Sequence, residues 1–229
     1  MKTYLTSDEI TKMVEAAPCL RDQVMVSFLA DSGCRISELL GIKVENIDLK
    51  VGMVLIPHLK RGIKKQCPGC GRSAGRRSQF CVRCGTDLRE VIAEGILQRS
   101  RLINIGQPTA RLIQEYITRA KLKPGDYLIK LSRQWIYSII RELATNTGLE
   151  GKAMLNPESG KKHYVHCHSF RDALAVDWLL QRGDTEGRKA LQEQLGHQSF
   201  DTTARYFKLT PSSIKKIGDE VRKARFGGK

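Results

Sequence analysis

The sequence predicts a mainly α fold with a small antiparallel β-sheet, an α+β class. Most apolar residues recur at helical spacing, whereas only residues 51–59 and 102–105 are typical of strands. A segment rich in Gly and Arg, with four cysteines, separates these two strands. The chain has 229 residues, 41% of them hydrophobic and 28% charged. This composition supports one large core and excludes a disordered or fibrous protein.

The first helix has a clear start signal. Thr6 and Glu9 form a T-x-x-E capping box, and Leu5 and Ile10 occupy the hydrophobic positions around it. A second helix is predicted over about residues 21–31, where Gly33 follows. The remaining apolar spacing predicts a short helix over 36–40, helices over about 109–121, 132–146, 169–182, 187–195 and 211–225, a short helix before Tyr206, and a loop over 148–166.

Four of the seven cysteines predict a structural metal site. They form two C-x2-C pairs separated by ten residues, and the ligands are Cys67, Cys70, Cys81 and Cys84. This spacing is typical of a tetrahedral Zn²⁺ site, and four thiolates leave no open position for chemistry. A redox C-x-x-C motif does not occur doubled in such a loop. We therefore expect one structural zinc ion in a ribbon over residues 64–92, inserted in the β-hairpin.

The three isolated cysteines give no such pattern. The odd total and the absence of a secretion signal argue against a disulfide framework. Cys19, Cys34 and Cys167 are expected to be inert residues in or near the core.

Positive charge is abundant and clustered. The chain has 39 Lys and Arg against 24 Asp and Glu, a formal net charge of +15. Residues 58–101 hold eleven basic against three acidic residues, and residues 205–229 hold eight against two. Such clusters predict a polyanionic partner, namely nucleic acid. With no apolar run near ~18 residues and no signal core, we expect a soluble, cytoplasmic, nucleoid-associated protein without a membrane partner.

Three separated segments combine Arg, His and Tyr: DSGCRISELLGI around Arg35, HSFR at 168–171, and LGHQSFDTTARY ending at Tyr206. In this order and spacing the sequence resembles the catalytic domain of the tyrosine recombinase (phage integrase) family. The resemblance covers about residues 3–215 except the insertion. It implies the family's catalytic fold over 1–229, with a zinc-ribbon insertion in a β-hairpin. Because the chain starts near the first catalytic helix, the family's N-terminal core-binding domain is expected to be absent.

The resemblance also implies a catalytic set of six residues: Arg35, Lys60, His168, Arg171, His197 and Tyr206. Tyr206 falls on the nucleophile and His168 is the candidate acceptor of its proton. The general acid is a lysine in the hairpin turn, where Lys60 fits best and Lys64 and Lys65 are alternatives.

The other members of the set suit the charge that develops during phosphodiester cleavage. Fixed guanidinium groups of Arg35 and Arg171 would stabilise the phosphoryl oxygens, and His197 would donate a further hydrogen bond. Glu38 either orients Arg35 or is an ordinary exposed helix glutamate.

The implied activity is site-specific recombination of double-stranded DNA through a 3′-phosphotyrosyl intermediate. That bond conserves the energy needed for rejoining, and the sequence has no nucleotide-binding loop and no acidic cluster for catalytic Mg²⁺. Two alternatives remain: a type IB topoisomerase-like enzyme and an inactive zinc-ribbon DNA-binding protein. The ribbon either contacts the DNA backbone or only stabilises its loop. The C-terminal helix either joins protomers into a tetramer on DNA or packs on its own domain.

Overall fold

The computed structural model describes residues 4–57, 64–75, 77–91, 100–151, 154–155 and 162–196. The chain divides into two compact units. The main unit contains Met1–Ile56 and Arg101–Lys229, and the inserted unit contains Pro57–Ser100. The structure is mainly helical with small antiparallel sheets, which confirms the predicted fold class. No helix among these described residues is long and apolar enough to cross a membrane.

Helices provide most of the main unit. They are α1 (Ser7–Glu15), α2 (Leu20–Ser32), α3 (Ile36–Leu39), a 3-10 turn (Val44–Asn46), α4 (Gln107–Arg119), α5 (Arg133–Asn146), α6 (Cys167–Gln181) and α7 (Thr185–Leu195). The strands of this unit are β1 (Ile47–Asp48), β2 (Met53–Ile56), β5 (Arg101–Asn104), β6 (Met154–Leu155) and β7 (Lys162–His163). The inserted unit contributes β3 (Lys64–Gln66) and β4 (Ser73–Gly75), which pair antiparallel.

The main sheet has the strand order β1-β2-β5 and is antiparallel throughout. Val54 pairs with Ile103, and both side chains are buried. The next pair, Leu55 and Leu102, lies on the outer face and is exposed. This alternation follows from the two-residue period of a strand, and it explains why both strands were recognisable in the sequence.

Helix α2 lies at the centre of the main unit and packs against α1, α4 and α6. Its apolar residues are buried on all sides, among them Val24, Met25 and Phe28. A helix that is apolar all round needs neighbours on every face, which the three packed helices supply. The helix ends at Gly33, whose φ of 60° lies in the left-handed region that favours glycine.

Some of the predicted elements agree with the structure and others differ from it. The capping box is present, with the Thr6 amide donating to Glu9 Oε2 over 2.9 Å. The predicted loop over 148–166 contains the β6–β7 hairpin, whose two-residue strands are too short for any recognisable period. Cys34 and Cys167 are buried as expected, but Cys19 is exposed at the start of α2, which differs from its predicted position in or near the core. The helices predicted before Tyr206 and over 211–225 lie outside the described residues.

Candidate active site and metal centre

Arg171 connects the three motif segments of the main unit. It lies on α6 and is only 2% exposed. Its Nη1 donates to the carbonyl of Gly33 over 2.5 Å, and its Nη2 donates to the carbonyl of Leu195 over 2.7 Å. Gly33 comes two residues before Arg35, and Leu195 comes two residues before His197. One buried guanidinium thus holds the backbone beside two other predicted catalytic positions.

Arg35 is the N-cap residue of α3, two residues after Gly33. Its side chain remains 37% exposed, and its Nη1 donates to Glu38 Oε1 over 3.1 Å. The backbone amide of Arg35 donates to Glu38 Oε2 over 2.7 Å. Glu38 is buried, so it is not an ordinary exposed helix glutamate. The structure favours the other interpretation, in which Glu38 orients Arg35.

A third arginine, Arg101, binds the same carboxylate. Its Nη1 and Nη2 donate to Glu38 Oε1 and Oε2 over 2.8 and 3.0 Å, a bidentate pair. Burial opposes ionisation of Glu38, but the hydrogen bonds and charge of Arg101, with those of Arg35, lower its pKa to about 2. Arg101 was not recognisable as a site residue from the sequence, because nothing near it in the chain distinguishes it from neighbouring arginines.

The end of α7 is fixed to strand β5 by Gln194. The side-chain amide of Gln194 donates to the carbonyl of Asn104 over 2.9 Å and accepts from the Asn104 amide over 3.0 Å. This arrangement imitates strand pairing at the end of the β1-β2-β5 sheet. Gln194 was also missed, since a glutamine within a helix carries no sequence signal of burial. Its contacts fix the last turn of α7, which ends two residues before His197 in the sequence.

His168 lies exposed in the first turn of α6, one turn before Arg171. Its ring centroid is 6.1 Å from that of His166. His166 Nδ1 lies 2.7 Å from Ser169 Oγ, which also accepts a hydrogen bond from the His166 amide. Of the predicted catalytic set, Arg35, His168 and Arg171 are described, and all three belong to the main unit. Lys60, His197 and Tyr206 lie outside the described residues.

The inserted unit gathers the four paired cysteines. Their sulfur atoms all lie within 4.8 Å of one another, with Cys67 and Cys84 3.4 Å apart and Cys70 and Cys81 3.6 Å apart. These separations are far longer than the ~2.05 Å of a disulfide. Four thiolates at ~2.3 Å from a tetrahedral ion would be about 3.8 Å apart. The donor set and its spacing fit one metal ion.

Backbone hydrogen bonds shape the two cysteine-bearing turns in the same way. The Gly71 amide donates to the Cys67 carbonyl and the Gly85 amide to the Cys81 carbonyl, each over 2.8 Å. Both glycines have positive φ, 68° and 74°, which a residue with a side chain adopts at a cost. Hydrogen bonds from the hydroxyl and amide of Thr86 lower the pKa of Cys84 to about 6. This favours the thiolate that a metal ion binds.

Lys65 stabilises the inserted unit from within. It is buried on β3, and its Nζ donates to the carbonyls of Leu88 and Ser78. Leu88 is the fully buried centre of a small cluster that includes Cys67 and Cys81. Because this amino group is engaged by backbone carbonyls, Lys65 is a poor alternative to Lys60 as general acid. The side chain of Lys64 lies outside the described part of the structure.

The chain is similar to known proteins in sequence and in fold. A family model described as "Phage integrase family" matches residues 3–69 and 85–213. Tyrosine recombinase XerD of Bifidobacterium longum is 24% identical over 218 residues, which are 92% of this chain and 59% of the relative. Tyrosine recombinase XerA of Pyrococcus furiosus is 25% identical over 223 residues, again covering 59% of the relative. The chain therefore spans somewhat more than half of these relatives. FimE of Escherichia coli, a type 1 fimbriae regulatory protein, is 26% identical and is covered over 85% of its length.

Solved structures share the fold. The crystal structure of XerA recombinase matches with a TM-score of 0.64 at 21% identity, over 97% of this chain and 66% of that one. The XerH recombinase bound to its difH substrate matches with a TM-score of 0.57 at 18% identity, over 90% of this chain and 50% of that one. The catalytic domain of bacteriophage HP1 integrase matches with a TM-score of 0.54 at 13% identity, over 99% and 95% of the two chains.

Proposed function

The chain belongs to the phage integrase family, and on that premise we propose that it is a tyrosine-type site-specific DNA recombinase. In this proposal it cuts double-stranded DNA at specific sites, exchanges strands and rejoins them without ATP. The relatives named tyrosine recombinases and the neighbour bound to its DNA substrate support this activity. The net charge of +15 supports a polyanionic partner.

One observation carries the proposal: the hydrogen bonds of Arg171 to the carbonyls of Gly33 and Leu195. The Arg171 side chain thus holds Gly33, which lies 138 positions earlier in the chain, and Leu195, which lies 24 positions later. A protein that only binds DNA does not need a contact that joins the turn before Arg35 to the segment that leads to Tyr206. An enzyme that must align several groups around one phosphate does need it.

The proposed reaction has two balanced steps. The Tyr206 hydroxyl oxygen attacks phosphorus while its proton passes to His168, and the bond from phosphorus to the 5′-oxygen breaks. The leaving 5′-oxygen takes a proton from Lys60, which gives a 3′-phosphotyrosyl bond and a free 5′-hydroxyl. Rejoining reverses these transfers with the 5′-hydroxyl of a partner strand as nucleophile.

Cationic groups stabilise the charge on the phosphoryl oxygens in both steps. Arg35 suits this task because its guanidinium is oriented by Glu38 and remains partly exposed. Arg171, which is bonded to the Gly33 carbonyl two residues before Arg35, adds a second positive charge, and His197 supplies a further hydrogen bond. The resulting site needs no catalytic metal.

We also propose that the four cysteines hold one structural Zn²⁺. Among the described residues of the inserted unit, the buried apolar cluster is small, and two of its three members, Cys67 and Cys81, belong to the proposed ligand set. A small apolar cluster gains stability from a further link such as a bound metal ion. The exposed Arg72, Arg77 and Arg83 of this unit would then contact the DNA backbone. Assembly as a tetramer on DNA through the C-terminal helix remains a prediction.

The test is formation of a covalent adduct with a nicked suicide substrate made from DNA that flanks the gene. We expect a DNA–protein band on a denaturing gel with the wild type and none with Tyr206→Phe. DNA affinity should be nearly unchanged, because only one hydroxyl is lost. Tyr164→Phe, which removes the hydroxyl of an exposed tyrosine outside the three motif segments, is the matched control and should behave as wild type.

The same assay separates the alternatives. Relaxation of a supercoiled plasmid that lacks any recombination site would indicate a topoisomerase-like enzyme. DNA binding without any adduct in the wild type would indicate a DNA-binding protein. An adduct that persists in Tyr206→Phe would show that the nucleophile is assigned wrongly.

A further inference from the structure

We propose that Arg101 is a positioning residue of the active site: it prevents Glu38 from neutralising Arg35 and holds the backbone in front of His197. This inference rests on the proposed recombinase activity. Arg101 is the first residue of β5 and pairs with Ile56, the last residue of β2. Its side chain is only 11% exposed, so it is a group of the interior.

The Glu38 carboxylate is shared unequally between two arginines. Arg101 donates to both carboxylate oxygens, whereas the Arg35 guanidinium donates to one, over the longer distance of 3.1 Å. A bidentate fork is the stronger arrangement of the two. Two cations sharing one anion leave a net charge of +1, and this charge lies on the partly exposed Arg35. Without Arg101, Glu38 and Arg35 would form a neutral pair.

The Arg101 guanidinium also lies against the residue that ends α7, Gly196. A Cβ atom at Gly196 would lie 2.6, 2.8 and 2.9 Å from Nη1, Cζ and Nε of Arg101. The guanidinium therefore lies directly against the Gly196 backbone, next to the Leu195 carbonyl that accepts from Arg171. Two arginines from different elements hold the two residues that precede His197.

A third observation indicates that Arg101 is not present for stability alone. Its Nε is buried and has no hydrogen-bond acceptor among the described residues. Buried donors without acceptors cost stability and are uncommon in folded proteins. Such a cost is tolerated at an active site, where the charge and the orientation of the side chains must be exact.

The experiment measures single-turnover adduct formation at saturating DNA, together with the dissociation constant for DNA. Wild-type protein is measured first, because absence of its adduct would refute the proposed function and not this inference. With Arg101→Gln we expect the rate to fall roughly 10- to 100-fold, while DNA affinity changes by less than about threefold. Arg119→Gln is the matched control, since Arg119 pairs with Glu115 at an exposed site, and it should keep the wild-type rate.

The decisive variant is the double substitution Glu38→Gln with Arg101→Gln. Removing the carboxylate charge frees Arg35 from the neutral pair, so the double variant should cleave faster than Arg101→Gln alone. A purely structural role predicts the opposite, because the double variant removes more contacts. A wild-type rate in Arg101→Gln, or a double variant no faster than that single variant, would overturn the inference.

Arg101→Lys keeps the test valid if Arg101→Gln does not fold, as judged by circular dichroism. Lysine retains the charge but cannot form the bidentate fork. We expect it to fold and to cleave roughly three- to tenfold more slowly than wild type at unchanged DNA affinity. A rate equal to that of wild type would refute the need for the fork.

Discussion

Gly196→Ala tests the packing of the α7 terminus against Arg101. Gly196 has φ of 65°, and the added methyl group would lie within 2.9 Å of three atoms of the Arg101 guanidinium. That guanidinium cannot move aside without losing its hydrogen bonds to the buried Glu38. The substitution therefore forces either a backbone shift beside His197 or the loss of the ion pair.

The expected loss of stability has two parts. An alanine in the left-handed region costs ~1–2 kcal/mol. Displacing a packed group costs a further ~1–3 kcal/mol. Gly148→Ala serves as the reference for the backbone cost alone. Gly148 also follows a helix and has φ of 72°, but its added methyl group would meet no atom of the described residues within 4 Å. The difference in stability between the two variants therefore gives the packing cost. Gly196→Ala should thus be less stable than Gly148→Ala by ~1–3 kcal/mol.

Urea denaturation followed by far-ultraviolet circular dichroism measures this difference, because the described helices all belong to the main unit. Adduct formation should also be slowed in Gly196→Ala and remain near the wild-type rate in Gly148→Ala. Free energies of unfolding that agree within about 0.5 kcal/mol for the two variants would refute the close packing of Arg101 on Gly196.

Three further predictions follow from the site and the metal centre. Removing metal by chelation, or by Cys67→Ser with Cys70→Ser, should unfold the inserted unit but keep the helices of the main unit, and it should weaken DNA binding with a shallower salt dependence. Elemental analysis of the wild type should find one zinc per chain. Loss of the whole fold or an unchanged salt dependence would contradict this prediction. The pKa of Glu38 is lowered to about 2 from 4.5, so its contribution of about 3 kcal/mol is complete above the unfolded pKa and is lost as pH falls from 4.5 towards 2. Urea titrations should show a shallower acid loss in Glu38→Gln, and equal slopes would speak against the ion pair. A bridging 5′-phosphorothiolate substrate, whose thiolate leaves without a proton, should restore cleavage in Lys60→Ala but not in Arg171→Ala; rescue of Lys64→Ala instead would move the general acid along the turn.

The sequence by itself determined those features that depend on near neighbours in the chain. The capping box of Thr6 and Glu9, the strand pair on either side of the insertion and the four-cysteine spacing were all readable. Each involves either a local repeat or a fixed short spacing, so the relevant geometry is set by a few consecutive residues. The three motif segments were recognisable for the same reason.

Only the tertiary structure decided which polar side chains act together. Glu38 joins Arg101 across 63 residues, Gln194 joins Asn104 across 90, and Arg171 joins Gly33 across 138. Any glutamate, glutamine or arginine can make such bonds, so their residue types carry no information about the partner. Burial makes the choice, because a polar group removed from water must find whichever partner the packing of distant elements brings within reach.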